Sequence, residues 1–298
     1  MTSICKALLL LLLTAVQAAH AQQLYLATEN DLLAGRDGHY TGGLDVGWHA
    51  GACRWLDRDW VQVFQLKGLV FTPLNTQTVP PPDDDLSYAG VLVLNGVLFQ
   101  QQHGRLNMLG VQLGWLGPST RMGEIQNQIH RWVGNDVLRG WHYQLKDQPL
   151  LGVMAGQGRM LWHDATLPLS LQAGMGAEAG TLLNRGWASL LLRMGPQALH
   201  VRLYDQMVGT SASDALEPLS TGWQADLGVQ LNWLPHLLLI EEGGVALRPR
   251  SWQWKGLLRI AYGWSHWQVA WVGQIAQFPA ANRDELDSWG GFVLRRQL

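Results

Sequence analysis

Residues Trp223 to Trp233 read WQADLGVQLNW. Trp223, Ala225, Leu227, Val229, Leu231 and Trp233 fall on one parity, against Gln224, Asp226, Gly228, Gln230 and Asn232 on the other. Successive side chains of a strand point to opposite faces, so this stretch has one apolar face and one polar or small face. A tryptophan stands at each end of the apolar face. Working outward, Leu258, Ile260, Tyr262 and Trp264 oppose Arg259, Ala261 and Gly263, and Trp267, Val269 and Trp271 continue the series. Toward the N-terminus, Leu167, Leu169 and Leu171 oppose Ser170 and Gln172. Leu109, Val111, Leu113 and Trp115 oppose Met108, Gly110, Gln112 and Gly114. Leu44, Val46 and Trp48 oppose Asp45, Gly47 and His49.

Composition decides what this alternation means. Charged residues make up only 15% of the 298, while there are 34 Gly and 16 Trp. Beyond the N-terminal segment, no window approaches the roughly 20 apolar residues of a spanning helix. Strands in hydrocarbon must pair every backbone group, which requires a closed barrel, and tryptophan rings settle at the two interfaces. A soluble sandwich also alternates, but it would not set so many tryptophans on its outer face. The expected fold is all-β, a transmembrane antiparallel β-barrel with a short helix on an outer loop. Alternation alone counts about fourteen segments, because Ala198 to Met207 also reads as a weak strand, although Pro196 and the polar stretch Gly209 to Ser220 interrupt it.

The chain begins MTSICKALLLLLLTAVQAAHAQ. Lys6, the apolar run Ala7 to Val16 and the small-x-small site Ala19-His20-Ala21 read as a secretory signal. Residues 1–21 are therefore expected to be removed, leaving 22–298 as one barrel domain in the bacterial outer membrane. Cys53 is then a lone thiol, so no intramolecular disulfide framework exists. With 21 basic and 23 acidic residues, the charge balance argues against a nucleic-acid partner. A monomer is expected.

The connections alternate short and long. Gln102-His103-Gly104 and Ser265 are short, whereas Val70 to Leu86, Leu116 to Pro149 and Gly243 to Trp252 are long, as expected for periplasmic turns and outer loops. The run Pro80 to Asp85 reads as a solvated loop. One long connection carries a helical period. Met122, Ile125, Ile129, Trp132 and Val133 share one face, and Gln126 and His130 neighbour each other on another side, close to Asn127. Pro118 suits the first turn, Ser119 or Thr120 its cap, and Gly134 its stop.

Four patches hold groups suited to chemistry. Glu29-Asn30-Asp31, followed by Ala34 to Gly38, offers hard oxygen ligands of the kind calcium takes, or simply a strand end running into an Asp/Gly turn. His39 to Gly42 starts the next strand. Thr41 has the parity of Asp45 and His49, and pairing brings it near Asn30 and Asp31. The helix supplies Gln126, Asn127 and His130, and Gly134-Asn135-Asp136 follows it. There is no GxSxG elbow, no HExxH and no paired CxxC. These residues suit a histidine that activates water beside an oxygen-bound cation.

Taken together, ENDLLAGRDGHYTGGL (Glu29 to Leu44), SYAG (Ser87 to Gly90), LGPSTRMGEIQNQIHRWVG (Leu116 to Gly134) and GWHYQLKDQP (Gly140 to Pro149) resemble the outer-membrane lipid A 3'-O-deacylases of LpxR type. The resemblance implies a barrel of about 12 strands. Its active site would lie between wall and loop helix at the outer leaflet, with Ala198 to Ser220 as a connection. It implies Ca2+-dependent hydrolysis of the 3'-acyloxyacyl ester of lipid A in lipopolysaccharide. His130 would be the general base, and Asn30 and Asp31 would form the calcium and oxyanion region. Thr41 would line the site, Gln126 would take the matching helix position, and Asp136 would stand where the family can carry a glutamate. The chain departs from the family in Thr72 to Asp85, which lacks the Lys-Arg pair suited to a lipid A phosphate, and in ending on Leu298. Competing readings are an outer-membrane phospholipase or esterase using the same histidine, and a non-catalytic small-solute barrel.

Overall fold

The computed structural model describes residues 22–298 apart from 35–37, 56, 165 and 245. The expected signal segment and the centre of the Ala34 to Gly38 turn lie outside the described residues. The strands are β1 Gln23–Asn30, β2 Tyr40–Trp55, β3 Arg58–Phe71, β4 Ala89–Gln102, β5 Arg105–Leu116 and β6 Gln148–His163, then β7 Leu169–Gly180, β8 Leu183–Met194, β9 Gly222–Leu237, β10 Trp252–Trp264, β11 Trp267–Gln277 and β12 Leu286–Gln297. Each pairs antiparallel with its sequence neighbours, and β1 closes on β12 to leave no edge. The longest helix among the described residues, α1, spans Met122–Val133 in the connection between β5 and β6.

The parity read from Trp223 to Trp233 holds in space. Leu227 and Val229 are exposed, while Asp226, Gln230 and Asn232 are buried toward the lumen. Exposed tryptophans gather at both ends of the wall. Trp252 pairs with Trp233 at the loop end, and Trp223 pairs with Tyr262 at the end where the termini lie. Two rings separated by an apolar band match the two interfaces of a bilayer.

Ala198 to Met207 is not a strand. Residues 195–221 leave the terminal end between β8 and β9 and fold into the lumen, burying Val201, Leu203, Tyr204, Ala212 and Ala215. This plug breaks the expected alternation of short turns and long loops, since it is a long connection at the turn end. Thr181 and Leu182 alone join β7 to β8 at the loop end. The plug is latched by charge. Asp226 of β9 accepts from Arg193 at 3.0 Å, Arg202 of the plug at 2.8 Å and Arg259 at 3.3 Å. Arg202 also pairs with Asp214 at 2.5 Å, and Arg193 with Glu217 at 2.5 Å. Charges buried this deeply persist only when paired. Above the plug, Leu69, Phe71, Leu237, Ile240, Phe278 and Trp289 form an apolar layer that closes the lumen toward the loops.

Candidate active site at the loop end

Alternation places the first group of candidates. In β1, Glu29 is buried inside the wall, so its neighbour Asn30 falls on the outward parity. Asn30 Nδ2 donates to the carbonyl of Thr41 at 3.0 Å. Asp31 is buried at the start of a 3-10 turn, Asp31–Ala34, and its Oδ2 accepts from the amide of Gly38 at 3.0 Å. Pairing therefore brings Thr41 to Asn30 as expected, but the inward parity expected of Thr41 is wrong. The ladder passes from Tyr40↔Phe71 to Gly42↔Val70, so Thr41 is the extra residue of a β-bulge. Tyr40 takes the inward position and donates to Glu29 at 2.8 Å, while the Thr41 hydroxyl meets that of Thr72 at 2.6 Å.

The second group rides on α1. Pro118, Ser119 and Thr120 form a separate 3-10 turn instead of the helix start, and the helix N-cap is Arg121 in the left-handed region at φ 60°. Ser119 is engaged by Asp147 at 2.8 Å, which removes it from capping. Gly134 ends the helix as expected, at φ 79°. The helix sits on the outside of the wall. Gln65, Lys67 and Leu69 of β3 point inward, so Gly68 points out, and a Cβ there would meet Met122 Sδ at 2.9 Å. A Cβ on Gly90 of β4 would meet Met122 Cβ at 2.7 Å. Gly90 needs glycine for this close approach, whereas at Gly68 the flexible end of Met122 could give way.

Gly123, Gln126 and His130 follow one another at three- and four-residue spacing and share a side of α1. Gly123 and Gln126 are buried, Gln126 by accepting from Trp141 Nε1 at 2.8 Å. Gln126 Nε2 is buried with no protein acceptor. Asn127 clasps Leu138, accepting from its amide at 2.9 Å and donating to its carbonyl at 3.1 Å. That clasp folds the post-helix segment back, and His130 Nδ1 lies 2.7 Å from the carbonyl oxygen of Asp136. A carbonyl only accepts, so Nδ1 carries a proton, and any lone pair the ring offers is on Nε2. Asp136 thus orients the imidazole through its backbone.

Two features escaped sequence reasoning. Tyr88 is buried against Trp141 with ring centroids 5.2 Å apart, and its hydroxyl has no partner. Burial, with Asp85 nearby, pushes its phenol up to about 12. The SYAG stretch was its only signal. Asp85, expected in a solvated loop, is instead buried. His39 Nε2 meets Asp85 at 3.0 Å and Nδ1 meets Asp287 at 3.1 Å, with Phe278 stacked 3.8 Å from the ring. Burial alone would lower the His39 pKa, but hydrogen bonds to both carboxylates raise it to about 9. Burial also works against the Asp85 carboxylate, yet His39 and the amides of Asn75 and Leu86 hold it below its ordinary value. Partners 46 and 248 residues away leave no local pattern to read.

A closed barrel with two aromatic rings, a filled lumen and polar groups gathered outside its wall is a membrane-spanning β-barrel of the outer-membrane class. The family model described as outer membrane protein LpxR matches residues 4–298, and the chain belongs to that family of outer-membrane proteins. Its fold is similar to LpxR from Salmonella typhimurium at a TM-score of 0.77 and 14% identity, covering 93% of this chain and 100% of that one. The NanC porin is a weaker likeness, at 0.44 and 6% over 92% of this chain and 99% of that one. The KdgM porin gives 0.41 and 7% over 93% and 99%. No curated protein sequence matches.

Proposed function

We propose that this barrel hydrolyses the 3'-acyloxyacyl ester of lipid A in the outer leaflet, with His130 as general base. The observation that carries the reading is the contact of His130 Nδ1 with the Asp136 carbonyl, which orients the ring and leaves Nε2 free of that bond. Its Nε2 lone pair can take a proton from water as that water attacks the ester carbonyl. The carbon–oxygen ester bond then breaks, and the imidazolium returns the proton to the departing sugar oxygen. The unsatisfied Gln126 Nε2 and Tyr88 hydroxyl are donors suited to substrate oxygens. Membership of the LpxR family supports the choice of lipid A.

The reach is consistent. From Met122 to His130 along α1 is about 12 Å, and from β3 to β1 is two strand spacings, about 10 Å. Met122 and the outward-facing Asn30 both stand outside the wall at the loop end, and α1 is long enough for His130 to serve a substrate that reaches β1.

Asp31 and Asn30 are hard oxygen donors and fit Ca2+ in kind. Among the described residues no cluster of three or more His, Cys, Asp or Glu is arranged for a metal, so carbonyls, water and substrate would complete the shell. Bound there, Ca2+ would polarise the ester carbonyl and offset its developing negative charge.

The solute-channel reading is disfavoured by the plug, whose latch fills the lumen with paired charge. The test is mass spectrometry of lipid A from cells expressing the wild type or His130→Ala, with Ca2+ supplied. Loss of a 3'-acyloxyacyl unit with the wild type alone is expected. Unchanged lipid A in both, with the barrel folded, would refute the substrate.

A further inference from the structure

The helix α1 divides lengthwise into three sectors at 100° per residue. Gly123, Gln126, Asn127 and His130 form the side toward the folded-back loop, where they meet Trp141, Leu138 and Asp136. Arg121, Glu124, Gln128 and Arg131 form a polar side, cross-linked by Arg121 to Glu124 at 2.8 Å and Arg131 to Gln128 at 2.7 Å. Met122, Ile125, Ile129, Trp132 and Val133 form the third sector: Met122 seats on the wall, and the other four are 47%, 47%, 76% and 63% exposed. Among the described residues, nothing covers those four side chains beyond that extent. An amphipathic helix normally turns its apolar stripe inward, and this one leaves its stripe largely uncovered beyond Met122.

We propose that the apolar sector of α1 is a membrane-anchoring face, seated among acyl chains at the outer boundary of the bilayer that holds the barrel. Three observations favour lipid over any other occupant. The helix stands on the outward face of β3 and β4, through Gly68 and Gly90, which is the face the barrel gives to lipid. The apolar surface is continuous with that wall, because exposed Leu44 of β2 pairs with Gly68 under the foot of the helix. The polar sector lies on another flank, so one orientation puts wall and lipid against the apolar sector and water against the polar one, as an interfacial helix requires. The anchor would fix the depth at which His130 meets the membrane. The inference stands on the barrel and the helix alone, whether or not the site cleaves lipid A.

The test uses the full barrel with Cys53→Ser as background, carrying Ile129→Cys or Gln128→Cys labelled with bimane. The protein is reconstituted in phosphatidylcholine vesicles with mid-chain brominated lipid, and folding is checked by the heat-dependent gel shift of a closed barrel. Brominated lipid should quench label at 129 severalfold more than at 128, and aqueous iodide should reverse the order. Equal iodide quenching at both positions would overturn the proposal by placing the apolar face in water. Label at 129 shielded from both quenchers would equally overturn it, showing the face covered by protein such as a second copy. Because folding is read separately, a misfolded variant is replaced by Trp132→Cys on the same sector.

Discussion

The two longest connections of this barrel turn in opposite directions. Residues 195–221 fold inward from the terminal end, and residues 117–147 fold outward at the loop end. The plug spends its charges on partners, with Arg202 held between Asp214 and Asp226 and both carboxylates buried. The loop helix leaves Gln126 Nε2 without an acceptor, turns four large apolar side chains outward, and keeps only the Nδ1 side of His130 occupied by a carbonyl. Buried charges that pair with one another specify a scaffold, and groups fixed near the surface with unused capacity are open to a substrate. The difference separates the connection latched by buried ion pairs from the one on which the proposed site is built.

The sharpest way to break this contrast lies in the plug. Asp226 serves three arginines, so Asp226→Ala leaves buried guanidinium groups without their common partner. The expected loss is about 3–5 kcal/mol of stability, read as a lowered urea midpoint for the barrel refolded in micelles. An unchanged midpoint would show that the plug is not latched as described.

A smaller effect sharpens the contrast from the loop end, where one cluster is paired as fully as the plug. His39 ties the β1–β2 connection to Asp85 and Asp287, beside the Gly38 amide that holds Asp31. Its pKa is raised from 6.5 to about 9, so its contribution is fully present below pH 6.5 and is lost as pH rises through 9. That contribution is about 3 kcal/mol. The wild type should lose thermal stability between pH 6 and pH 10 relative to His39→Gln, which lacks the titration. Parallel pH curves for the two proteins would remove His39 as a clamp.

How much of this was legible depended on the range of the physics involved. Inside and outside along β9 follow from period two within a single segment, and α1 follows from Met122, Ile125 and Ile129, with Gly134 as its stop. Thr41 was misplaced because one inserted residue reverses the parity beyond it, and nothing in HYTGG marks the bulge. Residues 198–207 looked like a strand because Val201 and Leu203 alternate with Arg202 and Tyr204. What makes them a plug is Asp226, which lies on another element. Asp85 reads as solvent-facing until His39 is brought to it. The candidate residues themselves were visible, whereas their orientation came only with the fold: Asn30 outward, His130 toward the folded-back loop, Asp136 meeting it through its carbonyl.

The central claim is that His130 is the proton acceptor of a site built outside the wall. The most direct measurement is fatty-acid release from lipid A in mixed micelles by folded wild type and His130→Ala, with and without added imidazole. The account predicts a loss of about a hundredfold or more in the variant, with part of the rate restored by imidazole diffusing into the vacated space. Full activity in the folded variant, or a loss that imidazole leaves untouched, would contradict it.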